Sequence, residues 1–127
     1  MQTLQEALAD FGHGMGMNGR LSPGEGGGTQ LRFESGAVLG VAPQGEHVVV
    51  HLWEPVRHDA ARLLLRAMKL AGSAESAEAA VQPGLRSTAD GDWLVLGTRF
   101  PLAECSARRL HAAAARLREA FERVGSA

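Results

Sequence analysis

Five histidines and one cysteine are the side chains of this sequence best suited to chemistry. His47 and His51 stand four apart in the apolar run "HVVVHLW". On a strand they share a face but lie about 13 Å apart at the usual rise, too far for one metal ion. His13, His58 and His111 have no ligand partner nearby in sequence, whereas a zinc site takes three or four well-placed ligands. We read exposed or edge histidines and no metal site. Cys105 stands near the start of the last predicted helix, off its apolar stripe. A helix dipole there would lower its pKa, and a histidine brought from elsewhere would make it a nucleophile. One cysteine and scattered histidines make no motif, so the sequence assigns no catalytic residue.

The other chemical signals are equally bare. "GEGGG" (Gly24–Gly28) lacks the Gly-Lys-Ser/Thr ending of a phosphate loop. Asp90 and Asp92 flank a turn and need no further role. Arg108, Arg109, Arg116, Arg118 and Arg123 crowd the last helix, but Glu119 and Glu122 accompany them. With no aromatic platform beside them, they read as a solvated helix face and not a nucleic-acid site. No cofactor is implied.

The chain has 127 residues, enough for one domain over 1–127 and a modest core. Aromatics are 5% with no tyrosine, so aliphatic packing supplies most of that core. The formal net charge is -1, which gives no general attraction to nucleic acid or anionic membrane. Residues 1–60 hold seven acids and three bases, and 61–127 hold seven acids and ten bases. A single cysteine allows no internal disulfide and fits a reducing cytoplasm. The opening "MQTLQEALADFG" lacks the cationic start and apolar core of a signal peptide. No run approaches the roughly 20 apolar residues of a membrane span.

The elements follow from periodicity. Leu4, Ala7, Leu8 and Phe11 make one face of a first helix over 2–11, with Gly12 as its stop. Residues 12–28 read as a flexible Gly-rich loop, with Leu21 placed to start a short strand. "TQLRFES", "AVLGVA" and "HVVVHLW" read as three strands joined by turns at Ser35-Gly36 and Pro43–Glu46, with Pro55 ending the third. A second helix covers 58–71, with Asp59 near its start and Gly72 just past its end. Residues 73–81 read as a frayed extension or a linker. Two strands around Asp90-Gly91 follow. A last helix spans 102–124, with Ser106, Leu110, Ala113, Ala114, Leu117, Phe121 and Val124 in one stripe. The class is α+β in the order α-β-β-β-α-β-β-α, a five-stranded antiparallel sheet with helices on one face.

The second helix carries more apolar surface than one sheet needs. Ala60, Leu63, Leu64, Ala67, Met68 and Ala71 share one side, and Leu70, Ala61 and Leu65 widen it. The arc exceeds half the circumference, against a stripe of about 100° for one buried face. We read Leu64, Ala67 and Met68 as facing the sheet, and a flank led by Leu65, or the opposite flank of Leu63 and Leu70, as meeting a second copy.

The whole pattern resembles the class I chaperones of bacterial type III secretion. The resemblance covers nearly the whole chain. It rests on "LQEALADFG", "LRFESGAVLGVAPQGEHVVVHLWEP", "AARLLLRAMKLAG", "GDWLVLGTRFP" and "LAECSARRLHAAAARLREAFERV" together. It implies a non-enzymatic homodimer in the bacterial cytoplasm. Such a chaperone binds the extended N-terminal segment of a secreted effector and keeps it soluble and secretion-competent. The dimer would form through Leu63, Leu64, Leu65, Met68 and Leu70. Effector contacts would come from Leu4, Leu8 and Phe11 on the first helix and from Leu31, Phe33, Leu39 and Val41 on the first strands. The alternative is a regulatory or adaptor domain of the same fold that binds another regulator protein. The near-neutral charge and the long Gly-rich loop depart from the family pattern.

Overall fold

The computed structural model describes residues 3–14, 22–23, 28–33, 35–57, 59–72 and 81–126. Two long central strands, β4 (His47–Val56) and β6 (Gly91–Pro101), form its spine. They pair antiparallel from His47↔Pro101 to Val56↔Asp92. Alternation then decides everything that lies above and below them. Val48, Val50 and Leu52 stand beside Phe100, Thr98 and Leu96, and all are buried on one face. His47, Val49, His51 and Trp53 point to the other.

β3 (Val38–Gln44) pairs with β4, and β2 (Thr29–Arg32) pairs with β3. β5 (Gln82–Thr88) lies outside β6, and a two-residue strand, β1 (Ser22–Pro23), lies outside β2. The order is β1-β2-β3-β4-β6-β5, antiparallel throughout. The five expected strands are present, and a short strand, β1, lies just after Leu21, where one was expected to start. Leu21, Glu34, His58 and residues 15–20, 24–27 and 73–80 lie outside the described residues, which takes in most of the expected Gly-rich loop and all but the last residue of the expected 73–81 segment.

The three helices pack on the same sheet face. α1 (Leu4–Gly14) begins at a capping box: Glu6 N donates to Thr3 Oγ1 at 3.1 Å, and Thr3 N donates to Glu6 Oε1 at 3.4 Å. It runs past the stop expected at Gly12. α2 (Ala60–Gly72) lies against β5 and β6, and its Arg66 donates to the carbonyl of Val124 at 3.5 Å. α3 (Ala107–Ser126) covers β4 and β6. Ala7, Phe11, Ala67, Leu110, Ala113, Leu117, Ala120 and Val124 join the sheet's Val48, Val50, Leu52, Leu94 and Leu96 in one core.

Several boundaries move for local reasons. The last helix does not start at 102. Leu102–Glu104 form a 3₁₀ turn, and Cys105 is extended at φ -67, ψ 127. Ser106 is therefore the cap of α3 and not part of its stripe: Arg109 N donates to Ser106 Oγ at 3.1 Å. The hairpin turn is Ala89–Asp90, one residue before the expected Asp90-Gly91, because Thr88 pairs with Gly91. The Thr88 hydroxyl fixes it, accepting from Asp90 N and donating to Gly91 O, both at 3.2 Å. The β3–β4 turn shrinks from Pro43–Glu46 to Gly45 and Glu46, with Gly45 at φ +61. Pro43 and Pro55 both lie inside strands. Each stands where one neighbour has run out, since β2 stops opposite Val41 and β3 stops opposite Trp53. A missing N–H there removes no ladder bond.

Ser106→Ala should lower stability by about 1 kcal/mol through loss of the cap. Urea unfolding followed by circular dichroism measures this. No change would place the start of α3 elsewhere.

Candidate functional site

A concavity runs along one flank of α3. His111, Ala114, Ala115, Arg118, Phe121 and Glu122 face it at helical spacing. Across from them lie Phe33, Ser35, Ala37, Leu39, Leu52 and Glu54 from the β2–β3 turn and from β3 and β4. The cavity is about 590 Å³ and opens to solvent. The run "HAAAARL" explains it: alanines at 114 and 115 leave empty space where larger side chains would close helix onto sheet. The turn beneath is held by Phe33 N donating to Ala37 O at 2.9 Å, with Gly36 at φ +94. At one end, Phe11 of α1 meets His111 edge-to-face, with ring centroids 4.5 Å apart.

The lining is mainly apolar with a few charges of both signs. Burial raises the Glu54 carboxyl above its ordinary range, and the Arg118 guanidinium partly opposes this. Such a groove suits an extended segment with alternate apolar side chains and a small number of polar contacts.

The expected contact residues divide between groove and core. Phe33 lines the groove, and Leu39 borders it while itself buried in the core. Phe11, Leu31 and Val41 are buried in the core, and Leu4 and Leu8 are half-buried against it. Glu54, His111, Ala114 and Arg118 are groove residues that the sequence reading passed over. The alanine run was their only visible signal.

The second helix turns differently from the expectation. Ala67 is buried, and Leu63 and Leu64 are half-buried against the core. Met68 does not face the sheet; it is 54% exposed, beside Leu65 at 53%. With Ala61, also exposed, they form one outward stripe. Leu85 is exposed on the adjacent edge strand β5. The Leu70 side chain lies outside the described residues.

Cys105 sits in the core, not on a helix start, and burial pushes its thiol up, opposite to the activation a dipole would give. Among the described residues, no group of three or more His, Cys, Asp or Glu is placed to hold a metal ion. No described helix is long and apolar enough to cross a membrane.

No protein-family model and no curated protein matches the sequence. Solved structures do match the fold. The Yersinia pestis type III secretion chaperone SycH, in complex with a stable fragment of YscM2, aligns with TM-score 0.66 at 14% identity, over 96% of this chain and 99% of that one. A chain of the HopA1–SchA chaperone–effector complex aligns with TM-score 0.64 at 18% identity, over 97% and 93%. YbjN of E. coli, described as a candidate transcription regulator, aligns with TM-score 0.65 at 12% identity, over 96% and 91%. The protein has the α+β fold of the type III secretion chaperones.

Glu54 gives this site a pH signature. Its folded pKa lies above the ordinary 4.5, so the folded state holds the proton more tightly. Stability then falls as pH rises through the window above 4.5, and Glu54 imposes no penalty below it. Glu54→Gln should make the protein more stable than the parent near neutral pH, and the gain should vanish below about pH 4. Denaturant titrations at the two pH values check this. An equal gain at both would mean the carboxyl is not buried in the groove.

Proposed function

We propose that this protein is a homodimeric chaperone of the bacterial cytoplasm. In this reading it binds the extended N-terminal segment of a type III secreted effector and catalyses no reaction. The observation that carries the proposal is the open apolar groove along α3, on a fold shared with proteins described in chaperone–effector complexes. An unfolded client segment offers alternate apolar side chains, and the space over Ala114 and Ala115 receives them. Phe33 supplies apolar contact over the buried Leu39, and we assign Leu4 and Leu8, half-buried on α1, as further contacts. The chaperone would act by occupying those side chains and so keeping the client from collapsing on itself.

The dimer is assigned to the outward stripe of α2. Leu65, Met68 and Leu85 are three of the four large apolar side chains exposed among the described residues. A two-fold contact buries the same patch on both copies. Leu63 and Leu64 support this stripe from beneath, and Leu70 extends the helix toward its end.

The likeness to YbjN favours a second reading, an adaptor on the same fold whose partner is another regulator. The partner separates the two. Affinity purification from the native bacterium, with mass spectrometry of the bound material, should return a secreted protein held by its N-terminal segment. A non-secreted regulator would support the second reading, and recovery of no partner would count against both.

Ala114→Glu with Ala115→Glu should keep the fold by circular dichroism and weaken partner capture at least about tenfold, by placing charge where apolar side chains enter. Unchanged capture would move the binding site away from α3. Leu65→Asp should halve the mass seen by light scattering, because a carboxylate at a dimer centre is left unpaired. An unaltered dimer would reject the assigned stripe.

A further inference from the structure

The sheet face turned away from the helices has a composition of its own. Its strand positions follow from the register: Gln30 and Arg32, Val38, Gly40 and Ala42, His47 to Pro55 at alternate residues, and the odd positions of β6 with their β5 partners. Arg32, Arg86 and Arg99 are exposed there, and His47 and His51 accompany them. Among the described residues, no Asp or Glu occupies a strand position on this face. The chain as a whole has 14 acids against 13 bases, so a face with bases only is a marked segregation.

The face also has relief. Trp53 and Trp93 meet edge-to-face, with ring centroids 6.3 Å apart, and the Arg86 guanidinium lies 6.0 Å from the Trp53 ring centre. Trp93 Nε1 donates to Thr88 Oγ1 at 3.0 Å, which holds the ridge in place. Beside the ridge runs the cross-strand row Gly40–His51–Gly97. The His51 ring lies over Gly97, where an added Cβ would sit 2.6 Å from it. Over Gly40 the space is open, with nothing within 4 Å of an added Cβ. An aromatic ridge, the open space over Gly40 and flanking arginines form a shallow receptor.

We propose that this helix-free face docks an acidic polypeptide segment, with carboxylates meeting Arg32, Arg86 and Arg99 and an apolar side chain resting on Gly40 against Trp53. The surface lies on the opposite side of the sheet from the α3 groove and stands independently of what that groove holds. Arg32 and Arg86 are on β2 and β5, four strand spacings apart, or about 19 Å. An extended segment of about six residues covers that distance. A single-stranded nucleic acid is the other polyanion to weigh. It needs free aromatic faces for stacking, and here Arg86 already lies over Trp53 while Trp93 abuts it. The polypeptide is therefore the better fit.

The two tryptophans of the chain both stand on this face, so their emission reports its occupancy directly. The probes are a synthetic peptide of about ten residues, glutamates interrupted by leucines, its lysine counterpart, and an oligo-dT of similar length. The acidic peptide should shift tryptophan emission at low salt and lose its effect near 1 M salt, where screening falls to about 3 Å. Combined Arg32→Gln, Arg86→Gln and Arg99→Gln should weaken it roughly tenfold, as expected for three exposed charge contacts. Because Arg86 touches Trp53, the variant is also titrated by anisotropy of dye-labelled peptide, and its unfolding midpoint is compared with the parent's. Failure of the acidic peptide to bind, equal binding of the lysine peptide, full affinity in the folded variant, or tighter binding of oligo-dT would overturn the proposal.

Discussion

The structure depends on the pairing of β4 with β6. Once His47 lies opposite Pro101, every second side chain of both strands is committed to one side. That side carries Val48, Val50, Leu52, Leu94, Leu96 and Phe100, enough apolar surface to seat three helices. A slip by one residue would bring Arg99, His51 and Trp53 under those helices instead. The same rule that builds the core thus collects Arg32, Arg86, Arg99 and both tryptophans on the reverse. Core and charged face are consequences of one register.

Much of this was legible in the chain. The order of elements and the helix-bearing face followed from periods of two and near four. What escaped was hydrogen bonding by single hydroxyls and capping groups. Thr88 sets the last hairpin turn one residue earlier than Asp-Gly alone implies. Ser106 lies at stripe spacing yet acts as a cap, and Cys105 is consequently in a corner and not on a helix. The greasy second helix was visible, but not its rotation. It buries Ala67, with Leu63 and Leu64 half-buried beside it, and Met68 turns outward. An apolar count does not see that difference.

The groove was the least legible part. It joins residues 33–54 to residues 111–122, and it exists because Ala114 and Ala115 fail to fill a space. A vacancy has no periodicity. Several apolar residues singled out on α1 and the early strands proved to be core, since Phe11, Leu31 and Val41 have almost no exposed surface. The two proposed surfaces differ in kind. The groove offers volume and little net charge, whereas the reverse face offers charge and little volume. Partners selected by one would be poorly suited to the other.

Pro43 and Pro55 have an effect beyond register. A strand that outruns its neighbour leaves a step of unsatisfied backbone, where another chain can begin to pair. At the steps where β3 outruns β2 and β4 outruns β3 the residue is a proline, which has no N–H to offer an incoming strand. Pro83 stands likewise on the edge strand β5. These three rings mark positions at which this sheet resists growth into aggregates.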